Sequence, residues 1–209
     1  DDFCREKYSV AIILAPAYYS AWGWCTGSLL NNVRENYRPF LLTAFHCLDH
    51  DIPFNELSQE ERDEVGNWSF KFGKIREACG AGGGLHNYDY TSGAVFRAAW
   101  HDTDFALIEL IDQPAPGDGG TNHDVFFNGW DRSGNVPNSS ACLHHPRGDR
   151  MKISTDNDNP VITGYLIPGT DCDQEEDNNS HWRVIWETGT TEPGSSGSPL
   201  YNPERRVIG

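Results

Sequence analysis

The sequence has no apolar run approaching the ~18 residues that a membrane-spanning helix needs. Its most apolar stretch, YSVAIILAPAYY (8–19), is short and polar at its ends. Basic residues are scarce: 16 Lys and Arg stand against 31 Asp and Glu, for a net charge of −15. Such a chain repels phosphate, so no nucleic-acid partner is expected, and without a spanning run no membrane is expected either. No two cysteines stand in C-x-x-C spacing, which excludes a zinc ribbon and a thioredoxin-type redox pair. The sequence opens without Met and without a charged-then-apolar leader, so any secretion signal is expected to have been removed or to lie outside it. The glycine run CGAGGGLHNYDYTSG (79–93) lacks the surrounding strand–helix unit that a phosphate-cradling loop requires, and reads as a loop. No internal repeat is visible.

What is present suits a folded domain. Of 209 residues, 37% are apolar and 12% aromatic, enough for a sizeable core in one large domain or two small ones. The six cysteines (4, 25, 47, 79, 142 and 172) are scattered singly, a usage that fits disulfides and an oxidising, extracellular compartment. The count alone leaves their pairing open.

Short apolar runs bounded by Gly, Pro, Asn and Asp recur. They predict strands near 8–15, 26–31, 39–44, 68–73, 93–99, 104–111, 125–130, 140–145, 161–167, 182–187 and 198–208, an all-β pattern. One segment departs from it. In NELSQEERDEV (55–65), Ser58 followed three residues later by Glu61 forms a capping-box pattern and predicts a short surface helix. QPAPGDGGTN (113–122), rich in Pro and Gly, predicts a linker between a unit at 1–112 and a second at 123–209. YNPERRVIG (201–209) reads as strand, turn and the opening of another strand, so the second unit is expected to be incomplete in this sequence.

Three patches carry chemistry. FLLTAFHC (40–47) is an apolar strand ending in His46; HDTDFALIEL (101–110) sets Asp104 before a core strand; TEPGSSGSPLY (191–201) holds Ser196 in a Gly-x-Ser-Gly-x-Pro turn. A hydroxyl is a weak nucleophile at neutral pH. It needs a base within hydrogen-bond reach, and that base needs a carboxylate to fix its tautomer. Gly194 and Gly197 permit a sharp turn around Ser196, whose amide, with that of Gly194, then points at one spot where an oxyanion can develop. The flanking glycines select Ser196 over Ser195 and Ser198, and the strand beginning after Asp104 selects it over Asp102. A chance GxSGxP in a chain of this length is roughly a few in a thousand.

These strings resemble the chymotrypsin-like serine endopeptidases through CTGSLL (25–30), TAFHC (43–47), DFALIEL (104–110) and GSSGSP (194–199). Within them the sequence is most similar to the bacterial lysyl endopeptidases, through NGWDRSG (128–134), LHHPRGDRMKIS (143–154) and TEPGSSGSPLYNPERRVIG (191–209). The resemblance implies two antiparallel six-stranded β-barrels, the first carrying His46 and Asp104 and the second Ser196, with the active site between them. It implies a secreted, monomeric hydrolase that needs no metal or organic cofactor. Its substrates would be proteins or peptides, cleaved through an acyl-enzyme, with cleavage after Lys as the finer expectation. It also implies a Cys25–Cys47 bridge beside the histidine, and with it Cys4–Cys79 and Cys142–Cys172. Three features depart from the family pattern. Phe45 precedes His46. Ser195 stands where trypsin-like enzymes carry Asp. The acidic residue that selects Lys falls beyond Gly209.

The rival reading is a catalytically silent, protease-like binding module, which would require a lost triad member, and none is lost. His144 and His145 are adjacent on a predicted strand and face opposite ways, which disfavours a shared metal. The acidic runs TDNDN (155–159) and DCDQEEDNN (171–179) lack the spacing of a calcium loop and read as solvated loops. Non-reducing peptide mapping is expected to recover Cys25 joined to Cys47; Cys25 joined to any other cysteine refutes the bridge.

Overall fold

β-Branched and aromatic residues at alternating positions drive the apolar stretches into strands whose inward faces build the core. The computed structural model describes residues 3–16, 23–49, 56–73, 75, 90–114, 125–164 and 179–209. Seven strands form one antiparallel sheet: β1 (Val10–Ala15), β2 (Gly23–Leu30), β3 (Phe40–Ala44), β4 (Ser69–Phe72), β5 (Tyr90–Ser92), β6 (Ala94–Trp100) and β7 (Phe105–Leu110). Their order across the sheet is β5-β4-β1-β2-β3-β7-β6. The two end strands are consecutive in the chain, separated only by Gly93. One extended segment therefore pairs with β4 through its first part and with β7 through its second. Counted that way, the sheet curls back on itself as the expected six-stranded barrel. Gly93 makes the transfer possible: its φ is +77°, and an added Cβ would lie 3.2 Å from the Gly66 carbonyl oxygen.

The barrel interior is apolar. Ile13, Leu29, Leu41, Phe70, Ala106 and Ile108 are fully buried, and Trp68 and Phe72 nearly so. Each such large side chain contributes about 1.5–3 kcal/mol relative to exposure. The expected helix is α1 (Gln59–Glu64), with the complete capping box: the Glu61 amide donates to Ser58 Oγ at 3.2 Å, and the Ser58 amide donates to Glu61 Oε2 at 2.7 Å.

The second half holds two smaller sheets among the described residues. One comprises β8 (Ser140–His144), β9 (Lys152–Asp156) and β12 (Leu200–Tyr201), ordered β12-β8-β9; the other pairs β10 (Val161–Thr163) with β11 (His181–Arg183). Its core of Val10, Leu143, Tyr201 and Val207 is flanked by Phe3, Leu30, Leu42 and Met151, so residues from β1, β2 and β3 take part in it. The linker expected at 113–122 and the acidic run 171–179 lie almost wholly outside the described residues, as does most of the glycine run 79–93.

Several sequence expectations differ from the structure: of the strands expected at 182–187 and 198–208, only His181–Arg183 and Leu200–Tyr201 form. The stretch 125–130 forms no strand but isolated bridges, Leu30 to Asn128 and Trp130 to Val207 among them, because its backbone bonds are shared among Tyr8, β2 and Val207. Strand β9 was hidden by its polar composition. And Asp156, in the run read as solvated, is buried: its carboxylate accepts the amides of Asp158 and Ile185, both at 3.0 Å.

A buried polar knot ties 125–130 to both sheets. The Asn128 side-chain amide donates to Ser9 Oγ and Ser28 Oγ, both at 2.6 Å, and lies 2.9 Å from Tyr201 Oη. The Asn128 main chain bonds Leu29 and Asn31. Burial raises the Tyr201 phenol above its ordinary value, keeping it neutral. Removing the Asn128 amide strands several buried hydroxyls, each worth about 1–3 kcal/mol when unsatisfied. Asn128→Ala is therefore expected to cost about 2–4 kcal/mol, read as a lowered denaturant midpoint at unchanged slope.

Candidate active site

β3 ends in a 3-10 turn, Phe45–Cys47, that turns His46 out of the barrel. Another such turn, His101–Thr103, precedes β7 and leaves Asp104 in the left-handed region, at φ 48° and ψ 33°. Asp tolerates that conformation better than most residues. The antiparallel pairing of β3 with β7 brings the two ends together, with Ala44 opposite Phe105. The Asp104 carboxylate then receives two bonds from one residue: the His46 amide at 2.9 Å on Oδ1 and His46 Nδ1 at 2.7 Å on Oδ2. The Phe45 amide donates to the Asp104 carbonyl at 2.9 Å. Backbone and ring of His46 are thereby both held by Asp104. Asp102 does not compete, since it pairs with His101 at the surface. Phe45 is buried and meets the His101 ring edge-on, so the residue preceding His46 packs inward without crowding the imidazole.

Cys47 is bridged to Cys25 of β2. Cys4, exposed, and Cys142, buried, are free cysteines in the structure and so do not form the expected bridges to Cys79 and Cys172, which lie outside the described residues. The neighbour of Cys25, Thr26, anchors the glycine turn. Its amide donates to the Ser196 carbonyl at 2.7 Å and its hydroxyl to the Gly194 carbonyl at 2.8 Å. The Thr43 hydroxyl donates in turn to the Thr26 carbonyl at 2.9 Å. Gly197 has φ +79°, and a Cβ there would fall 2.2 Å from Thr43 Oγ1, 2.4 Å from the Thr26 oxygen and 2.8 Å from the Ala44 nitrogen. Gly194, at φ +94°, is pressed against the turn Pro146–Gly148, where the Arg147 amide donates to the Pro193 carbonyl at 2.7 Å. The Ser195 and Ser198 amides are spent on Glu192 and Ser195 carbonyls. Those of Gly194 and Ser196 find no acceptor among the described residues.

A cavity of about 380 Å³ opens beside this turn, lined by Thr43, Asp104, His181, Trp182, Trp186, Gly197 and Ser198 among others. Burial holds the His181 imidazole below its ordinary pKa, partly opposed by the Asp104 carboxylate.

The family model for the C-terminal domain of lysyl endopeptidase matches residues 1–209. The chain belongs to the lysyl endopeptidase family. A lysyl endopeptidase from Pseudomonas aeruginosa is 29% identical over 182 residues, covering 84% of this chain and 33% of that protein, so the chain spans about a third of its relative's length. Several solved structures share the fold. Deg5 superposes with a TM-score of 0.59 at 13% identity, over 100% of this chain and 80% of that one. The HtrA-type protease AlgW with tripeptide gives 0.56 at 13%, over 100% and 52%. The MamO protease domain from Magnetospirillum magneticum gives 0.54 at 8%, over 99% and 85%.

Within this lysyl endopeptidase family member, the structure joins His46 to Asp104 directly and fixes the Ser196 turn against β2 and β3, next to the disulfide that ends at Cys47. Both histidines of the 143–154 string are fully buried. His144 bonds Ser195 and Ser154, and the His145 amide bonds the Thr26 hydroxyl at 3.2 Å. Sequence reasoning did not assign Thr26 or His144 a place at the site. The one available signal was their position inside the strings CTGSLL and LHHPRGDRMKIS.

Gly197→Ala is expected to lower stability by about 3 kcal/mol, a fall in Tm of roughly 6–12 °C. Gly134→Ala is the control, because Gly134 has φ +74° but nothing within 4 Å of an added Cβ. Equal melting shifts in the two variants would show that strain alone, and not the close approach, sets the cost.

Proposed function

We propose that this chain is the proteolytic unit of a secreted serine endopeptidase, with Ser196 as nucleophile, His46 as general base and Asp104 as its orienting carboxylate. The observation that carries the reading is the doubly bonded His46–Asp104 pair beside a glycine turn with two unspent amides. With Asp104 accepting from Nδ1–H, the imidazole is fixed in the tautomer that carries its basic lone pair on Nε2. His46 removes the Ser196 hydroxyl proton as the oxygen attacks the substrate carbonyl. The resulting imidazolium gains charge stabilisation from Asp104 and then protonates the leaving amine. The amides of Gly194 and Ser196 receive the oxyanion. Removing one such donor has cost about 3–4 kcal/mol of transition-state stabilisation in enzymes of this chemistry. Water admitted on the departed amine's side hydrolyses the acyl-enzyme by the same route, with His46 again as base.

The remaining expectations belong to the same proposal. Residues 1–112 form the first barrel, 113–122 the linker and 123–209 the second unit. The enzyme acts as a monomer, without metal or organic cofactor, on protein or peptide substrates. Cleavage after Lys is supported by the lysyl endopeptidase relatives. A net charge of −15 favours approach of cationic substrates, an effect that salt weakens.

An aryl phosphonate probe tests the chemistry. Stoichiometric labelling at Ser196 is expected, lost in Ser196→Ala and slowed by at least about 10³-fold in His46→Ala. A folded wild-type protein that takes no label would instead be a silent binding module.

A further inference from the structure

Behind the glycine turn lies a buried chain of hydrogen bonds whose direction can be read from its ends. The Glu192 amide donates to Ser195 Oγ at 3.2 Å. Ser195 Oγ lies 2.8 Å from His144 Nδ1, and His144 Nε2 lies 3.1 Å from Ser154 Oγ. The Ser154 hydroxyl donates to the Thr190 carbonyl at 3.2 Å. Since Ser154 gives its proton to Thr190, its oxygen accepts from His144 Nε2–H. The imidazole is then a donor at Nε2 and an acceptor at Nδ1, and Ser195 gives its proton to Nδ1. Every group in the chain is satisfied by one arrangement, with His144 neutral.

Both ends of the circuit return to the segment 190–192, two residues before the turn that carries the free amides. That segment has no slack. Gly189 has φ +81°, an added Cβ would meet Ser154 Oγ at 2.6 Å, and Thr155 and Thr188 exchange backbone bonds.

We infer that His144 is a positioning residue: through Ser195 it holds the turn 194–197 in the one shape that aims the Gly194 and Ser196 amides at a common point. The inference rests on the serine endopeptidase reading above and adds to it the part played by Ser195. In trypsin-like enzymes an Asp at that place is anchored by a charge. Here a neutral hydroxyl is anchored by a neutral imidazole.

An imidazolium would break the chain. Nδ1–H would then face Ser195 Oγ, which already accepts from Glu192, and the Ser195 proton would be left without an acceptor. The charged groups around the ring are Glu192, which favours protonation, and Lys152, paired with His144 across β8 and β9, which opposes it. Arg147 partly neutralises Glu192 through an ion pair of 3.0 Å. Cys142, two residues back on the same face of β8, is buried and uncharged. Burial dominates and keeps the ring below its ordinary pKa. The unfolded chain therefore binds the proton more readily than the folded one. The stability contributed by this histidine is complete above the unfolded value of about 6.5 and is lost as pH falls toward the folded value.

Nitrogen-15 NMR of labelled histidine, with phosphonate labelling and peptide hydrolysis on the same samples, tests the inference. His144 is expected to show the neutral Nε2–H tautomer at pH 7. His144→Leu and Ser195→Ala should each lower the labelling rate and kcat by about 10²-fold with KM within about threefold. His144→Gln, whose amide can accept and donate as the ring does, should stay within about fivefold of wild type and lose part of the fall in Tm below pH 6.5. Ser195→Ala removes a single oxygen, so it serves if the leucine variant fails to fold. An Nδ1–H or charged ring at pH 7 overturns the inference, as does wild-type-rate labelling in the leucine and alanine variants. A wild-type protein that takes no label overturns the hydrolase reading and this one together; labelling that the variants leave intact overturns this one alone.

Discussion

The arrangement depends on one close approach, that of the backbone at Gly197 to the ends of β2 and β3. With Thr43 Oγ1 only 2.2 Å from where a Cβ would stand, the turn reaches Thr26 because glycine has no side chain to keep it away. That contact is what lets the Thr26 amide and hydroxyl hold the carbonyls of Ser196 and Gly194. The disulfide from Cys25 to Cys47 then fixes the same strand beside His46. Steric room, two hydrogen bonds and one covalent link thus place three chemically distinct stretches of chain in a single neighbourhood.

Around this contact the molecule uses buried polar groups more than its composition suggests. The first barrel is conventionally apolar, but the seam between the halves is held by Asn128 with Ser9, Ser28 and Tyr201, and by Thr26 with Gly194, Ser196 and His145. Such groups cost much when unmatched and little when matched, so they penalise every misaligned packing of the two halves. Apolar side chains alone would tolerate a slipped register. A buried amide that must meet three hydroxyls tolerates far less. Asp156, accepting two amides at the end of β9, does the same for the chain at Ile185.

Much of this was legible in the sequence, for physical reasons. Strands β1, β3, β4, β6 and β7 alternate or run apolar, and the capping box of α1 is a local signature that needs no tertiary partner. The pairing of His46 with Asp104 followed from needing a carboxylate next to a base. Strand β9 was not legible, because Lys152, Ser154 and Asp156 are polar and derive their burial or pairing from β8 and the segment after it. The stretch 125–130 looked like a strand by composition but divides its bonds among Tyr8, β2 and Val207. Neither the roles of Thr26 and His144 nor the buried state of Ser195 could be read locally. Each is defined by groups far along the chain, Thr26 by a turn 168 residues away.

The second apolar cluster has a kinetic consequence. Phe3 and Val10 from the start of the chain are packed with Tyr201 and Val207 near its end, and Ser9 reaches Tyr201 across 192 residues of sequence. Contacts of such separation form only after a large entropic toll of loop closure, which slows folding. Once made, they also close the routes by which the molecule opens piecemeal. With so many contacts of long sequence separation, the rate of global opening, and not local fraying, sets how long the folded state lasts.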